Sequence, residues 1–205
     1  MISLVIPVYI IDNHLKDLTK KTIKSLKGQY DELIIVDDAS PMKVDWKADK
    51  VIRNKKNLGF TGTVNKGIMA ATKDFICLSN NDIELLSGNI KDLESEGYGF
   101  PSFIGKSEPF WDGAFYVFPK KIGGIYDESY RHYFGDLDKF YNATLIGIEM
   151  FRKDNVVIKH YENQTYSKVN RNEAFEKDRK VFEKKWGIPF LEAYRIIGAY
   201  NDSSI

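Results

Sequence analysis

Short apolar runs that each stop at polar or acidic residues set the pattern of the N-terminal half of the chain. Ile2 to Val8 reads as a buried strand, with Asp12 and Asn13 behind it as candidate helix N-caps. Leu15, Leu18, Ile23 and Leu26 then recur at helical spacing as far as Gly28. Leu33-Ile34-Ile35-Val36 predicts a second strand running into the polar turn Asp37-Asp38-Ala39-Ser40-Pro41, and Val51-Ile52-Arg53 a short third. A loop from Asn57 to Gly62 leads to a helix over Thr63–Ala71, with Val64, Ile68 and Ala71 facing inward. Phe75 to Leu78 is the fourth strand and stops at Ser79-Asn80-Asn81-Asp82. Strand and helix alternating in this way imply right-handed crossovers and an α/β fold: an open, mainly parallel sheet flanked by helices.

Beyond Asp82 the pattern loosens. Gly97 to Gly113, rich in Gly, Pro and aromatics, predicts irregular chain with short strands. Ala114–Phe118 predicts a strand, Gly123-Gly124 a turn, Asp138–Ile148 a helix and Val156-Val157-Ile158 a strand ending at His160. Asn172–Trp186 reads as a charged amphipathic helix with a solvated face, and Pro189–Tyr200 as another. With no repeat or low-complexity linker, the 205 residues fit a single domain. Within that domain, residues 1–96 read as the expected nucleotide-binding half and residues 97–205 as the expected acceptor-binding half.

Composition narrows the chemistry. Lys plus Arg number 30 against 29 Asp plus Glu, so no overall field draws the chain to nucleic acid or an anionic membrane. The lone cysteine, Cys77, lies inside an apolar run, which excludes an intramolecular disulfide framework and argues against a catalytic thiol. The apolar opening lacks a basic leader and carries Pro7, and no run approaches the ~20 apolar residues that span a bilayer. A cytoplasmic protein is expected, with peripheral contact at a membrane where its acceptor requires it.

The chemistry-bearing pattern is the pair of acidic strand ends. Val36 precedes Asp37-Asp38, and Leu78 precedes Ser79-Asn80-Asn81-Asp82. In open α/β sheets, ligands bind beyond the carboxyl ends of the strands. One carboxylate there can accept from a base or ribose, and the other can hold a divalent cation on a diphosphate. Each cluster can also be an Asx-turn or a helix cap. An isolated turn explains only one of the two.

These segments, with others in the same order, resemble a known family. Leu4-Val5-Ile6-Pro7-Val8-Tyr9, Ile35-Val36-Asp37-Asp38-Ala39-Ser40, Asn57-Leu58-Gly59-Phe60, Asn65-Lys66-Gly67 and Leu78-Ser79-Asn80-Asn81-Asp82 look like the family 2 glycosyltransferases of the GT-A fold, in particular their rhamnosyltransferase-like branch. The resemblance continues through Trp111-Asp112-Gly113-Ala114, Gly123 to Glu128, Phe134-Gly135-Asp136-Leu137-Asp138 and Val157-Ile158-Lys159-His160, and reaches Arg171-Asn172 and Lys185-Trp186-Gly187.

The resemblance implies that Pro7, Val8 and Tyr9 line the nucleobase pocket, with Asp37 and Asp38 beside the nucleoside. It implies Asn65 on the helix flooring the nucleotide site, a position equally suited to packing or capping. It puts Asn81 near the ribose and makes Asp82 the metal-binding carboxylate. His160 either completes the metal site or is a satisfied structural histidine. Trp111, Asp112 and Gly113 border the acceptor sugar. Where the family usually has Glu-Asp at the catalytic base, this chain has Gly135-Asp136, so the base is Asp136 or, less favoured, Asp138; both can also cap the helix they begin. The implied reaction is hexosyl-type transfer, inverting and Mn2+- or Mg2+-dependent, from a UDP- or dTDP-type sugar to a glycan, lipid-linked or protein hydroxyl, as in polysaccharide biosynthesis. A non-catalytic nucleotide- or sugar-binding module is the alternative. A sugar-phosphate nucleotidyltransferase is disfavoured because Tyr9-Ile10-Ile11-Asp12 is not a Gly-rich basic loop.

Overall fold

The computed structural model describes residues 1–104, 113–161 and 171–198. In chain order the elements are β1 (Ile2–Val8), α1 (Asn13–Ser25), β2 (Glu32–Asp37), β3 (Lys50–Arg53), α2 (Gly59–Ala70), β4 (Phe75–Ser79), β5 (Ile83–Ser87), β6 (Tyr98–Phe103), β7 (Phe115–Pro119), α3 (Gly135–Leu145), β8 (Met150–His160), α4 (Arg171–Trp186) and α5 (Phe190–Ile196). The strands form one sheet in the order β3-β2-β1-β4-β7-β6-β8-β5. β3, β2, β1 and β4 are mutually parallel, as expected of the first half. The second half mixes directions: β7 is antiparallel to β4 and β6, β8 runs parallel to β6, and β5 closes antiparallel on β8.

Each side of the sheet has its own apolar layer. One is built on Val5, Ile34, Val36, Leu78, Tyr116 and Phe118 with residues of α2, α3, α4 and α5. The other joins Leu4, Ile6, Ile35, Cys77 and Val117 to Leu15 of α1. Because strand side chains alternate, β1 and β2 supply both layers, and so they read as unbroken apolar runs. The Cys77 thiol is wholly buried and burial pushes its pKa up, in keeping with a packing role.

Several element boundaries differ from the local pattern, each for a non-local reason. Asp12 caps α1 as expected, accepting from the Leu15 N–H at 2.9 Å. α2 begins at Gly59, four residues before the predicted Thr63, although Leu58 at its N-cap makes no side-chain cap bond. The cap comes from Asp38, whose carboxylate accepts from the Leu58 N–H at 2.7 Å and the Gly59 N–H at 3.0 Å. α3 begins at Gly135 rather than Asp138, and its N-cap Phe134 is left-handed (φ 61°). β5, at the edge of the sheet, has no counterpart in the predicted elements, and β8, which lies between β6 and β5, is longer than its apolar centre Val156–Ile158; exposed residues in both break the apolar pattern.

Candidate active site

The pairing of β1 ends at different points on its two sides. β1 stays paired with β2 as far as Val8–Asp37, but its register with β4 stops at Val5–Leu78. Pro7, which has no N–H to donate, lies beyond that last β1–β4 pair. The strands therefore part at the point where the order reverses, with α1 on one face and α2 on the other. Pro7, Val8 and Tyr9 sit at this crevice, Val8 buried and the other two half-buried.

Asp37 closes β2 and is 3% exposed. Its Oδ1 accepts from the Ser40 N–H at 2.8 Å, and its Oδ2 pairs with the Arg53 guanidinium, which also donates to the Ser40 carbonyl at 2.6 Å. Ala39 in this turn has φ 59°, a left-handed conformation that costs a non-glycine residue about 1–3 kcal/mol. Asp38 points the other way: besides the α2 N–H groups, it accepts from Asn54 Nδ2 at 2.8 Å. Asn65 is similarly occupied. Its amide donates to the Tyr126 carbonyl at 2.9 Å and accepts from the Tyr126 N–H at 2.8 Å, tying α2 to the chain that precedes α3. The contacts of Asp38 and Asn65 thus hold backbone in place, whereas Asp37 lies at the crevice itself.

At the end of β4, Asn81 is buried and donates to Thr19 Oγ1 at 3.0 Å. Asp82 Oδ1 faces His160 Nε2 at 3.2 Å, with both side chains largely buried. This convergence follows from topology, since His160 at the end of β8 is in register with Ile83, the residue after Asp82. Apart from the facing imidazole, Asp82 Oδ1 has no hydrogen-bond partner among the described residues despite its burial. An oxygen and a nitrogen ligand held about 2.1 Å from one divalent ion and adjacent in its shell lie about 3 Å apart. The pair therefore suits a shared cation, although among the described residues no cluster of three or more ligating side chains exists.

Asp136 reaches the same end of the sheet from α3. The Asn80 N–H donates to the Ala114 carbonyl at 2.7 Å, joining the end of β4 to the start of β7. A Cβ at Gly113, next to Ala114, would lie 2.1 Å from Asp136 Cγ, so only glycine lets the carboxylate approach. Gly113 is thus where the acidic end of β4 and Asp136 meet; Trp111 and Asp112 lie outside the described residues. Asp136 is half-buried and accepts from the Tyr126 hydroxyl at 2.6 Å. Gly135, where the resemblance would put Glu, has a spatial reason: a Cβ there would sit 2.8 Å from Thr61 Cγ2 and 3.2 Å from the Tyr126 ring.

Asp138 is differently placed. It is buried and its carboxylate accepts from Trp186 Nε1 at 2.7 Å, Lys185 Nζ at 2.9 Å and the Tyr130 hydroxyl at 3.0 Å, all structural partners. Lys185 and Trp186 come from α4, so this helix is more than a solvated charged face. Asp178, also on α4 and 2% exposed, accepts from the backbone N–H groups of Arg131, His132 and Tyr133, fixing the approach to Phe134 and Asp136. A cavity of about 320 Å³ beside Asp138 is lined by Tyr98, Lys139, Asn142, Lys185 and Trp186 and lies away from the β1–β4 crevice.

Residues 3–95 match glycosyl transferase family 2. Over that span the chain is similar to the family 2 glycosyltransferases. A dolichol-phosphate mannosyltransferase of Pyrococcus furiosus is 30% identical over 91 residues, a match covering 40% of this chain and only 26%, about a quarter, of that relative. Among solved structures, the mannosyltransferase PcManGT of Pyrobaculum calidifontis, in complex with GDP-Man and Mn2+, superimposes with TM-score 0.67 at 12% identity, covering 97% of this chain and 68% of that one. Residues 1–349 of TarS from S. aureus, in complex with UDP-GlcNAc, give TM-score 0.60 at 14% identity, covering 96% and 70%. At these identities the likeness establishes the fold, which is GT-A.

Of the groups that hold the candidate residues in place, sequence reasoning did not single out Arg53, Tyr126 and Asp178. Tyr126 lies in the Gly123–Glu128 segment that the resemblance includes, whereas Arg53 and Asp178 reach their partners from distant elements and leave no local signal.

Proposed function

We propose that this protein is a glycosyltransferase that moves a sugar from a nucleoside diphosphate sugar to an acceptor hydroxyl, with inversion at the anomeric carbon. One observation carries the reading: the Asp82–His160 pair and Asp136 come to a single sheet edge, linked through Asn80, Ala114 and Gly113. The nucleoside enters the β1–β4 crevice beside Pro7, Val8, Tyr9 and Asp37, with Arg53 at its rim. Asp136 takes the proton of the acceptor hydroxyl as that oxygen bonds to the anomeric carbon and the bond to the diphosphate breaks. A positioned base of this kind contributes about 10²–10⁴-fold. Asp82 and His160 would hold a divalent cation, Mn2+ or Mg2+, which supplies positive charge for the leaving diphosphate. Asn81 stands beside them, and Trp111, Asp112 and Gly113 border the acceptor.

The donors named for the structural neighbours, GDP-Man and UDP-GlcNAc, support a hexose or N-acetylhexosamine as the group transferred. The acceptor is a hydroxyl of a glycan, a lipid-linked sugar or a protein. No described helix is long and apolar enough to cross a membrane, so a lipid-linked acceptor would be met at the membrane surface. The test is release of nucleoside diphosphate from a panel of nucleotide sugars with Mn2+, with Asp136→Asn and Asp82→Asn alongside. Expected is slow hydrolysis by the parent and loss in both variants. No turnover on any donor, or full turnover by both variants, refutes the proposal.

A further inference from the structure

Lys139 is 7% exposed, yet it is a charged residue with no part in the chemistry described so far. Its Nζ donates to the Tyr116 hydroxyl and to the Gly124 carbonyl, each at 2.8 Å. It lies over four aromatic rings: 4.3 Å from the centroid of Phe118, 4.5 Å from Tyr126, 4.9 Å from Tyr116 and 5.3 Å from Tyr98. The Tyr116 and Tyr126 hydroxyls are 2.6 Å apart, and Tyr126 donates to Asp136 Oδ1 at 2.6 Å. An unbroken hydrogen-bonded chain therefore runs from a buried amine to the carboxylate at the sheet edge.

The chain has a direction. An ammonium has no lone pair, so Tyr116 must accept from Lys139 and donate its own hydroxyl to Tyr126, leaving the Tyr126 hydroxyl to donate to Asp136. We infer that Lys139 is a positioning residue which, through Tyr116 and Tyr126, aims a hydroxyl donor at Asp136 and holds that carboxylate ionised and fixed for proton abstraction. A neutral amine could instead accept from Tyr116, and the alignment would be lost. Burial pulls the Lys139 ammonium down to about 7, opposed by the negative charge of Asp136. Both phenols are pushed well above their ordinary range, first by burial and then by Asp136, so they transmit direction while staying protonated. The titratable groups facing this chain are Tyr98 on β6 and, across the adjoining cavity, Asp127, Asp138 and Lys185, while Cys77 on β4 acts from the other side of the sheet.

The catalytic consequence rests on Asp136 being the base, whereas the electrostatic one does not, so the two are separated by experiment. Asp136 is followed by carboxyl-carbon NMR titration of the full chain labelled at aspartate, its signal assigned by loss in Asp136→Asn. Tyr126→Phe, Tyr116→Phe and Lys139→Met are each expected to raise the Asp136 midpoint by about one pH unit. In the donor assay, the acid limb of kcat should move up by the same amount, with donor KM within threefold. An unchanged midpoint in folded Tyr126→Phe, or a shift there without one in Tyr116→Phe, overturns the inference. These two variants each remove one hydroxyl and decide the matter even if Lys139→Met does not fold. Shifted midpoints in a protein inactive toward every donor uphold the network and refute glycosyl transfer.

Discussion

Asp136 and Asp138 lie two residues apart on α3, and the same Asp→Asn change separates their roles. Asp138 accepts from Trp186, Lys185 and Tyr130. An amide at that position keeps one acceptor oxygen but turns an N–H₂ donor and no charge toward the others. A hydrogen bond to a charged group contributes about 1.5–3 kcal/mol, and unbalancing a buried pair costs about 3–5 kcal/mol. Lys185 is 36% exposed and can turn to solvent, which lowers the cost of Asp138→Asn to about 2–4 kcal/mol. For a chain of this size, that lowers Tm by roughly 4–16 °C. Asp136→Asn should cost about 0–1 kcal/mol, since Tyr126 can still donate to the amide oxygen. Its turnover should nonetheless fall about 10²–10⁴-fold. Urea titration followed by tryptophan fluorescence reads the first effect, because Trp186 is itself an Asp138 partner, and nucleoside diphosphate release reads the second. If Asp138→Asn abolishes turnover at unchanged stability, or Asp136→Asn turns over within a few-fold of the parent, the assignment of the two carboxylates is wrong.

Gly113→Ala should displace the Asp136 carboxylate, since the new Cβ would start 2.1 Å from its Oδ2; a tenfold or greater loss of turnover is expected, at a cost in stability of about 1–3 kcal/mol. Mn2+ should bind weakly to the protein alone and much more tightly with UDP or GDP, because under the proposed reading Asp82 and His160 would supply two ligands and no larger ligating cluster exists among the described residues; calorimetry giving tight binding without nucleotide would contradict this. Glu32 provides the pH prediction. Burial alone would push its carboxyl up, but hydrogen bonds from Ser3 Oγ, the Thr72 N–H and Lys50 outweigh it and hold the pKa down to about 2. A depressed folded-state pKa gives stability that is present above the ordinary value near 4.5 and lost as pH falls toward 2. Melting temperature should therefore drop across that window in the parent, and the slope should flatten in Glu32→Gln.

Local patterning was enough to place β1, α1, β2, β4 and the acidic ends of β2 and β4, because a buried parallel strand is written as a continuous apolar run and Asp12 caps α1 from the adjacent position; the short, half-exposed β3 was found from Val51-Ile52 alone. The same patterning put Asp37, Asp82 and His160 at strand ends, where register alone then carries Asp82 to His160. It did not find the start of α2, whose cap arrives from Asp38 on another element, nor β5, whose exposed edge residues break the apolar pattern. Nor did it separate the work of Asp136 from that of Asp138, or of Asp37 from that of Asp38. Each pair consists of like carboxylates in like sequence surroundings. Their difference lies in what approaches from elsewhere: Trp186 and Lys185 from α4 onto Asp138, the first turn of α2 onto Asp38, and Tyr126 onto Asp136. Periodicity records which side of an element is buried, but a carboxylate's role depends on the donors that reach it, and those are assembled only when distant segments pack.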